Sequence, residues 1–205
     1  MKVNFYLLGV CTFFSSLVLA QKSIQTELNA FTAKTGATFT IDKATNMVSF
    51  ISFPNSQAFK QSDATIEEKA LSFVNQNGNL FGVQTGRDEF KVQASQRDTY
   101  GMGHVVLQKY ANGVPVYDGI LKFHFNKNND LSSLNGNSIS TGKVNLTPSI
   151  SSDVAAAVAI RSVEREKSKN EDGSINFNAL PALKARKVEL MIFQKGLAQG
   201  YQGAI

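Results

Sequence analysis

The sequence has almost no cysteine. Of its 205 residues only Cys11 is a cysteine, and it lies in an apolar segment at the N-terminus. A single cysteine forms no internal disulfide, and the chain beyond that segment carries no catalytic thiol. The stability of the folded part must therefore come from its apolar core, for which a hydrophobic content of 42% is sufficient.

Histidine is almost as scarce. The chain has two, His104 and His124, and neither is followed by glutamate. A zinc peptidase of the H-E-x-x-H type needs two histidines one helical turn apart. His124 alternates with Phe123 and Phe125, which is typical of the polar face of a strand, and His104 has no partner visible in the sequence. No serine lies in a G-x-S-x-G elbow. We therefore expect no catalytic residue, no metal site and no cofactor.

Charge of one sign is not concentrated anywhere in the chain. The formal net charge is +5. The densest basic stretch, residues 161–169, is interrupted by Glu164 and Glu166. Nucleic-acid binding needs a basic patch or stripe, usually with aromatic side chains for stacking. We therefore expect a solvated surface and no nucleic-acid partner.

The first twenty residues have the pattern of a secretory signal peptide. Lys2 precedes an apolar run, and Val18 and Ala20 occupy the −3 and −1 positions of a cleavage site, which places cleavage between Ala20 and Gln21. The run is too short to favour a membrane anchor, and no later stretch has spanning length. We expect a secreted, extracellular protein, in transit through the periplasm if the source is Gram-negative, with no membrane contact after the signal is removed.

The region after the signal predicts a helix, a hairpin and a second helix. Residues 21–36 have weak helical spacing, and residues 38–53 contain two short strand-like runs separated by a polar turn. The second helix is predicted over residues 65–76. Thr65 and Glu68 have the spacing of a capping box. Gly78 is predicted to end this helix in the left-handed conformation.

Residues 105–137 predict an antiparallel meander, preceded by a strand over residues 90–97. Three runs alternate between apolar and polar positions, and the clearest has Leu121, Phe123 and Phe125 on one face. Asn112-Gly113 supplies the positive φ angles of a tight hairpin turn. A second turn, rich in asparagine, follows Phe125.

The amino-acid sequence of this meander is distinctive: QKYANGVPVYDG, then ILKFHFNKNNDLSSLNGN. It resembles the FTP domain, the propeptide domain of fungalysin and thermolysin. The positions that match this motif have a structural role, as turn formers or as an extended start, and we assign them no binding role; they are Asn112, Gly113, Pro115, Gly119, Asn135, Gly136 and Asn137.

The C-terminal part resembles the PepSY domain that follows FTP in the same proteases. Pro148 marks a linker, a helix starts near Asp153, and the run KVELMIF at residues 187–193 predicts a strand. The repeat of a helix followed by antiparallel strands predicts an α+β fold, and the two resemblances imply two cystatin-like units, each a helix packed on an antiparallel sheet. The expected division is 1–20 signal peptide, 21–59 N-terminal helix and hairpin, 60–145 FTP-like domain, and 146–205 PepSY-like domain, incomplete at its C-terminus.

The resemblance implies a non-catalytic pro-region of a secreted thermolysin-like (M4 family) zinc metallopeptidase. Such a pro-region acts as intramolecular chaperone and inhibitor, and its partner is the peptidase catalytic domain, in cis or in trans. A truncated precursor and a free-standing inhibitor fit the sequence equally. The alternative is a secreted interaction or adhesion module that has no part in protease control.

Overall fold

The computed structural model describes residues 25–43, 45, 47–54, 64–137, 139–142, 144–167 and 183–194. The predicted signal peptide, with Ala20 and Gln21, lies outside these residues. The described elements are α1 (residues 25–35), β1 (Thr38–Ile41), β2 (Val48–Ser52), α2 (Ile66–Asn77), β3 (Asp88–Arg97), β4 (Gly103–Ala111), β5 (Val114–Phe125), β6 (Leu131–Gly136) and α3 (Ser152–Lys167).

The six strands form one antiparallel sheet in the order β1-β2-β6-β5-β4-β3. The predicted meander is present as β3 to β6. The N-terminal hairpin joins it because β2 pairs with β6, with Ile51 opposite Leu134. The predicted α+β class is therefore confirmed. The division between residues 21–59 and 60–145 stays a prediction, and the strands on either side of it share this sheet.

The core lies between one face of the sheet and the two helices α1 and α2. Phe73 of α2 is fully buried and makes edge-to-face ring contacts with Phe31 of α1, Phe53 after β2 and Phe123 of β5, at centroid distances of 6.1, 6.1 and 5.7 Å. Such pairs add about 0.5–1.5 kcal/mol each beyond the burial of their area. One aromatic side chain therefore ties both helices to the sheet.

The start and the end position of α2 are as predicted, but the conformation of Gly78 at its end is not. Thr65 Oγ1 accepts from the Glu68 backbone, and the Glu68 carboxylate accepts from the Thr65 backbone. Gly78, however, is right-handed (φ −60°) and opens a short 3-10 turn, Gly78–Phe81. The left-handed residue is Gly82, at φ 59°. This turn contains Leu80 and Phe81, which are buried in the core.

The second predicted unit is described in α3 and in residues 183–194. The apolar residues Val154, Val158 and Val163 of α3 are exposed. The prediction of a strand over residues 187–193 was wrong, because this segment forms only one parallel bridge, between Ile192 and Val116. The described residues around α3 contain no sheet of its own, so the second cystatin-like unit stays a prediction.

Candidate functional site: the bulge of strand β5

The turn between β4 and β5 is the tight hairpin that the sequence predicts. Asn112 has φ 46° and Gly113 has φ 80°. Two consecutive positive φ angles match the right-handed twist of the flanking strands. Ala111 therefore pairs with Val114, and Tyr110 with Pro115.

Beyond Pro115 strand β5 bulges away from β4. Gln108 is the next paired residue after Tyr110, and its partner is Ile120, so residues 116–119 stand opposite Lys109 alone. The buried amide Nε2 of Gln108 donates to the backbone oxygens of Lys109 and Val116, at 2.9 and 2.8 Å, and lies 3.3 Å from the Gly119 oxygen. Gln108 thus satisfies carbonyl groups that the interrupted ladder leaves unpaired.

Two motif glycines permit close approach beside this bulge. A Cβ on Gly119 would lie 2.9 Å from Val116 Cβ and 3.2 Å from Lys109 Cβ. Gly136 has φ 152°, and a Cβ there would overlap the backbone carbonyl of Ile120. Only glycine fits at Gly136, because backbone atoms cannot be displaced as a flexible side chain can.

The closing motif residues hold the far side of the bulge. Asn137 N donates to Ile120 O at 3.0 Å, and Asn137 Nδ2 donates to Asp118 Oδ2 at 2.6 Å. Asp118 has φ 56°, a conformation that costs a non-glycine residue free energy unless its surroundings hold it. The contacts of Asn137 and Asp118 lie within the sheet, and the structural role of the motif positions stays a prediction.

The bulge also receives the segment that contains Ile192. Ile192 N donates to Pro115 O at 2.9 Å, and Ile192 O accepts from Tyr117 N at 2.8 Å. Ile192 packs in a small buried cluster with Ala111, Val116 and Ile139. The pairing is a single parallel bridge to Val116, and Ile192 is buried while Val188 and Leu190 are exposed.

A fully buried ion pair lies under the same end of the sheet. Lys109 Nζ is 2.9 Å from Asp88 Oδ2 and donates to Ile139 O at 2.9 Å. The carboxylate also accepts from Thr141 Oγ1 at 2.9 Å and from Gln84 N at 3.0 Å. Burial lowers the pKa of Lys109, and the Asp88 carboxylate opposes that shift. The sequence contains one signal for this pair: Lys109 continues the apolar face of β4.

The two histidines meet on the opposite, polar face of the sheet. His124 is on that face, as predicted, but His104 has a partner that the sequence did not reveal, because the two residues face each other across β4 and β5. Their Nδ1 atoms are 2.9 Å apart. His104 Nε2 lies 3.1 Å from Asp98 Oδ2, and His124 Nε2 lies 2.8 Å from Asn135 Oδ1. The hydrogen bond with His104 lowers the pKa of Asp98.

The described residues lack both a cluster of metal-ligating side chains and a membrane-spanning helix. They contain no group of three or more His, Cys, Asp or Glu side chains that could hold a metal ion. None of the helices in this part of the chain is long and apolar enough to cross a membrane. The bulge has backbone groups that pair with Ile192, and the exposed aromatic side chains of Tyr117 and Phe193 lie beside it.

Residues 88–138 match the fungalysin/thermolysin propeptide motif, FTP. The chain contains an FTP motif. The match runs from β3 to the end of β6, so it covers the hairpin turn, the bulge and the glycine contacts described above. The chain is also similar in structure to the Bacillus megaterium YpeB C-terminal domain, with a TM-score of 0.33 and 12% identity, over 64% of this chain and 57% of that one. No curated protein matches the chain.

Proposed function

We propose that this chain acts as the non-catalytic pro-region of a secreted thermolysin-like zinc metallopeptidase of the M4 family. The observation that carries the proposal is the FTP match over residues 88–138, since it names a propeptide motif. In this reading residues 146–205 are the PepSY-like unit. The signal peptide of residues 1–20 delivers the protein to the extracellular space, where such peptidases act.

The physical basis of the action is linkage. A pro-region that binds the folded peptidase domain and not its unfolded chain stabilises the folded form by mass action, by about 2.7 kcal/mol at a hundredfold excess over the dissociation constant. The same binding inhibits the peptidase when it covers the cleft. Both effects follow from one interface, in cis or in trans.

Exposed apolar groups beside the bulge support a protein-binding role. Tyr117 and Phe193 are 52% and 53% exposed, and their rings lie 5.3 Å apart. Leu190 and Val188 are also exposed on the same segment. Tyrosine is enriched among the residues that contribute most of the binding free energy at protein interfaces. We assign this surface, the Tyr117–Phe193 patch, to contact with the peptidase domain.

The test mixes the purified protein with a thermolysin-like peptidase and measures hydrolysis of a short peptide. Inhibition, together with a higher yield when the denatured peptidase domain is refolded beside the protein, is the expected result. Tyr117→Ser should weaken inhibition at least tenfold. Tyr100→Ser is the matched control, since Tyr100 is 74% exposed on the turn between β3 and β4 and should leave inhibition unchanged.

A serine peptidase serves as the class control and should not be inhibited. Absence of both inhibition and complex formation with thermolysin-like peptidases contradicts the proposal. In that case the alternative, a secreted interaction or adhesion module, takes its place.

A further inference from the structure

The two histidines of the chain form a pair on the sheet face away from the core. His104 and His124 are the only histidines in the chain, and the register of β4 and β5 sets them directly opposite each other. Their rings are nearly perpendicular, at 73°, with Nδ1 of one 2.9 Å from Nδ1 of the other. The two nitrogens therefore converge on one point.

The outer nitrogen of each ring faces an oxygen. His104 Nε2 lies 3.1 Å from a carboxylate oxygen of Asp98, and His124 Nε2 lies 2.8 Å from the amide oxygen of Asn135. Oxygens of these two kinds accept hydrogen bonds, so each Nε2 carries the hydrogen. Both Nδ1 atoms then carry a lone pair, and they lie 2.9 Å apart. Two lone pairs this close repel unless a proton or a metal cation is shared between the nitrogens.

The arrangement is also preorganised. Asp98 Oδ1 accepts from the backbone of Tyr100 and Met102, both at 2.9 Å, so the carboxylate is held with Oδ2 toward His104. Histidines that bind metal almost always donate their other N–H to a carboxylate, carbonyl or water, which fixes the ring and raises its basicity. Asp98 and Asn135 occupy those supporting positions. The side chain of His104 is 25% exposed, which leaves a path for an ion.

The spacing of the nitrogens fits two ligands of one metal ion. With metal–N bonds of about 2.0–2.1 Å, two imidazole nitrogens lie roughly 2.9 Å apart at an angle near 90° at the metal, as in tetragonal Cu²⁺ sites, and roughly 3.3–3.4 Å apart at the tetrahedral angle of Zn²⁺. The observed 2.9 Å matches the first value, and a small ring shift reaches the second. We propose that His104 Nδ1 and His124 Nδ1 form a two-ligand site for a divalent first-row transition ion that prefers imidazole, such as Zn²⁺ or Cu²⁺. Water completes the coordination, and the bound ion links β4 to β5. Ca²⁺ and Mg²⁺ require oxygen ligands and should not bind there.

The test titrates Zn²⁺ into the purified protein and follows the imidazole nitrogens by long-range ¹⁵N NMR. Because there are two histidines, each nitrogen can be assigned. Both Nδ1 signals should move on binding while both Nε2 signals stay in the N–H range, and a chelator should reverse the change. Cu²⁺, measured by chelator competition, should bind more tightly than Zn²⁺. Ca²⁺ should cause no shift.

Substitutions distinguish the proposed metal ligands from the residue that positions one of them. His104→Gln and His124→Gln should each weaken binding at least tenfold. Asp98→Asn should weaken it by about 10–100-fold while the remaining shift stays at the two Nδ1 atoms. Lys122→Gln, on the same face of β5, is the control and should bind as the parent does. Circular dichroism without metal checks that each variant is folded.

Two results would overturn the site. One is binding that persists when both histidines are replaced. The other is a proton shared between the Nδ1 atoms that remains unchanged at excess Zn²⁺, which would make the pair a hydrogen bond only.

Discussion

Replacing Lys109 by methionine keeps most of the length and the apolar stem of the side chain and removes its ammonium group. In the native structure both Lys109 and Asp88 have fully buried side chains, and Nζ lies 2.9 Å from the carboxylate. The variant leaves Asp88 with its hydrogen bonds to Thr141 and Gln84 and no opposite charge. Removing one partner of a buried pair costs about 3–5 kcal/mol. Because domains have about 5–15 kcal/mol in total, Lys109→Met should lose a large part of the stability.

Urea unfolding measures this loss, followed by far-UV circular dichroism because the chain has no tryptophan. Lys122→Met is the matched control, since Lys122 is exposed on β5, and it should change the free energy of unfolding by no more than about 0.5 kcal/mol. The double variant Lys109→Met/Asp88→Asn removes both charges, so it should recover about 1–3 kcal/mol relative to the sum of the single variants. A loss below about 1 kcal/mol in Lys109→Met, or additive single variants, would refute the reasoning.

The Lys109–Asp88 pair should also make the free energy of unfolding depend on pH in the alkaline range. Burial lowers the pKa of Lys109 in the folded protein, against an ordinary value of 10.5. Between the two pKa values the unfolded chain binds more protons than the folded one, so the free energy of unfolding rises with pH in that window. The parent protein should therefore gain stability relative to Lys109→Met as the pH approaches 10.5 from below, in urea unfolding at several pH values. A flat difference would contradict the assigned pKa direction.

Three further predictions concern single positions. Gly136→Ala should destabilise by more than about 4 kcal/mol because its Cβ overlaps backbone, whereas Gly113→Ala, with open space around it, should cost about 1–2 kcal/mol; equal losses in thermal unfolding would contradict this. Gln108→Leu should lose about 1–3 kcal/mol in urea unfolding by leaving bulge carbonyls unpaired, and an unchanged midpoint would contradict that role. A hydrogen bond from Ser95 lowers the pKa of Glu67, so its contribution to folding stability is present above the ordinary pKa and is lost as the pH falls through the lowered one. Ser95→Ala should therefore change the free energy of unfolding by up to about 0.5 kcal/mol near neutral pH. A change that grows in acid would contradict this.

Short-range patterns predicted most of the fold. Alternation identified every strand of the meander, the Asn112-Gly113 pair identified its first turn, and Thr65 with Glu68 identified the start of α2. These features succeed because each depends on residues within one or two turns of chain. At the end of α2 the position was predicted correctly and the conformation was not. Gly78 caps the helix in the right-handed conformation, and the chain continues through a 3-10 turn that contains the buried residues Leu80 and Phe81 before Gly82 takes the left-handed conformation.

The candidate site depended much less on local pattern. The FTP-like sequence motif located the site, and the close contacts at Gly119 and Gly136 agree with the structural roles predicted for its glycines. The partners of Gln108 and Ile192 could not be predicted, because they arise where a bulge breaks the regular alternation of β5. Alternation gives the face on which a residue lies, and a bulge changes which residue lies opposite.

The sequence by itself determined the α+β class, the order of the meander, its hairpin turn and its propeptide motif, since these depend on the period of the side chains and on φ angles that particular residues favour. Only the tertiary structure decided that Lys109 is buried against Asp88, that His104 meets His124, and that Ile192 pairs with the bulge. Each of these contacts joins residues from different segments of chain. Their free energies depend on the surrounding dielectric, the strand register and the exclusion of water, which exist only once the sheet has formed.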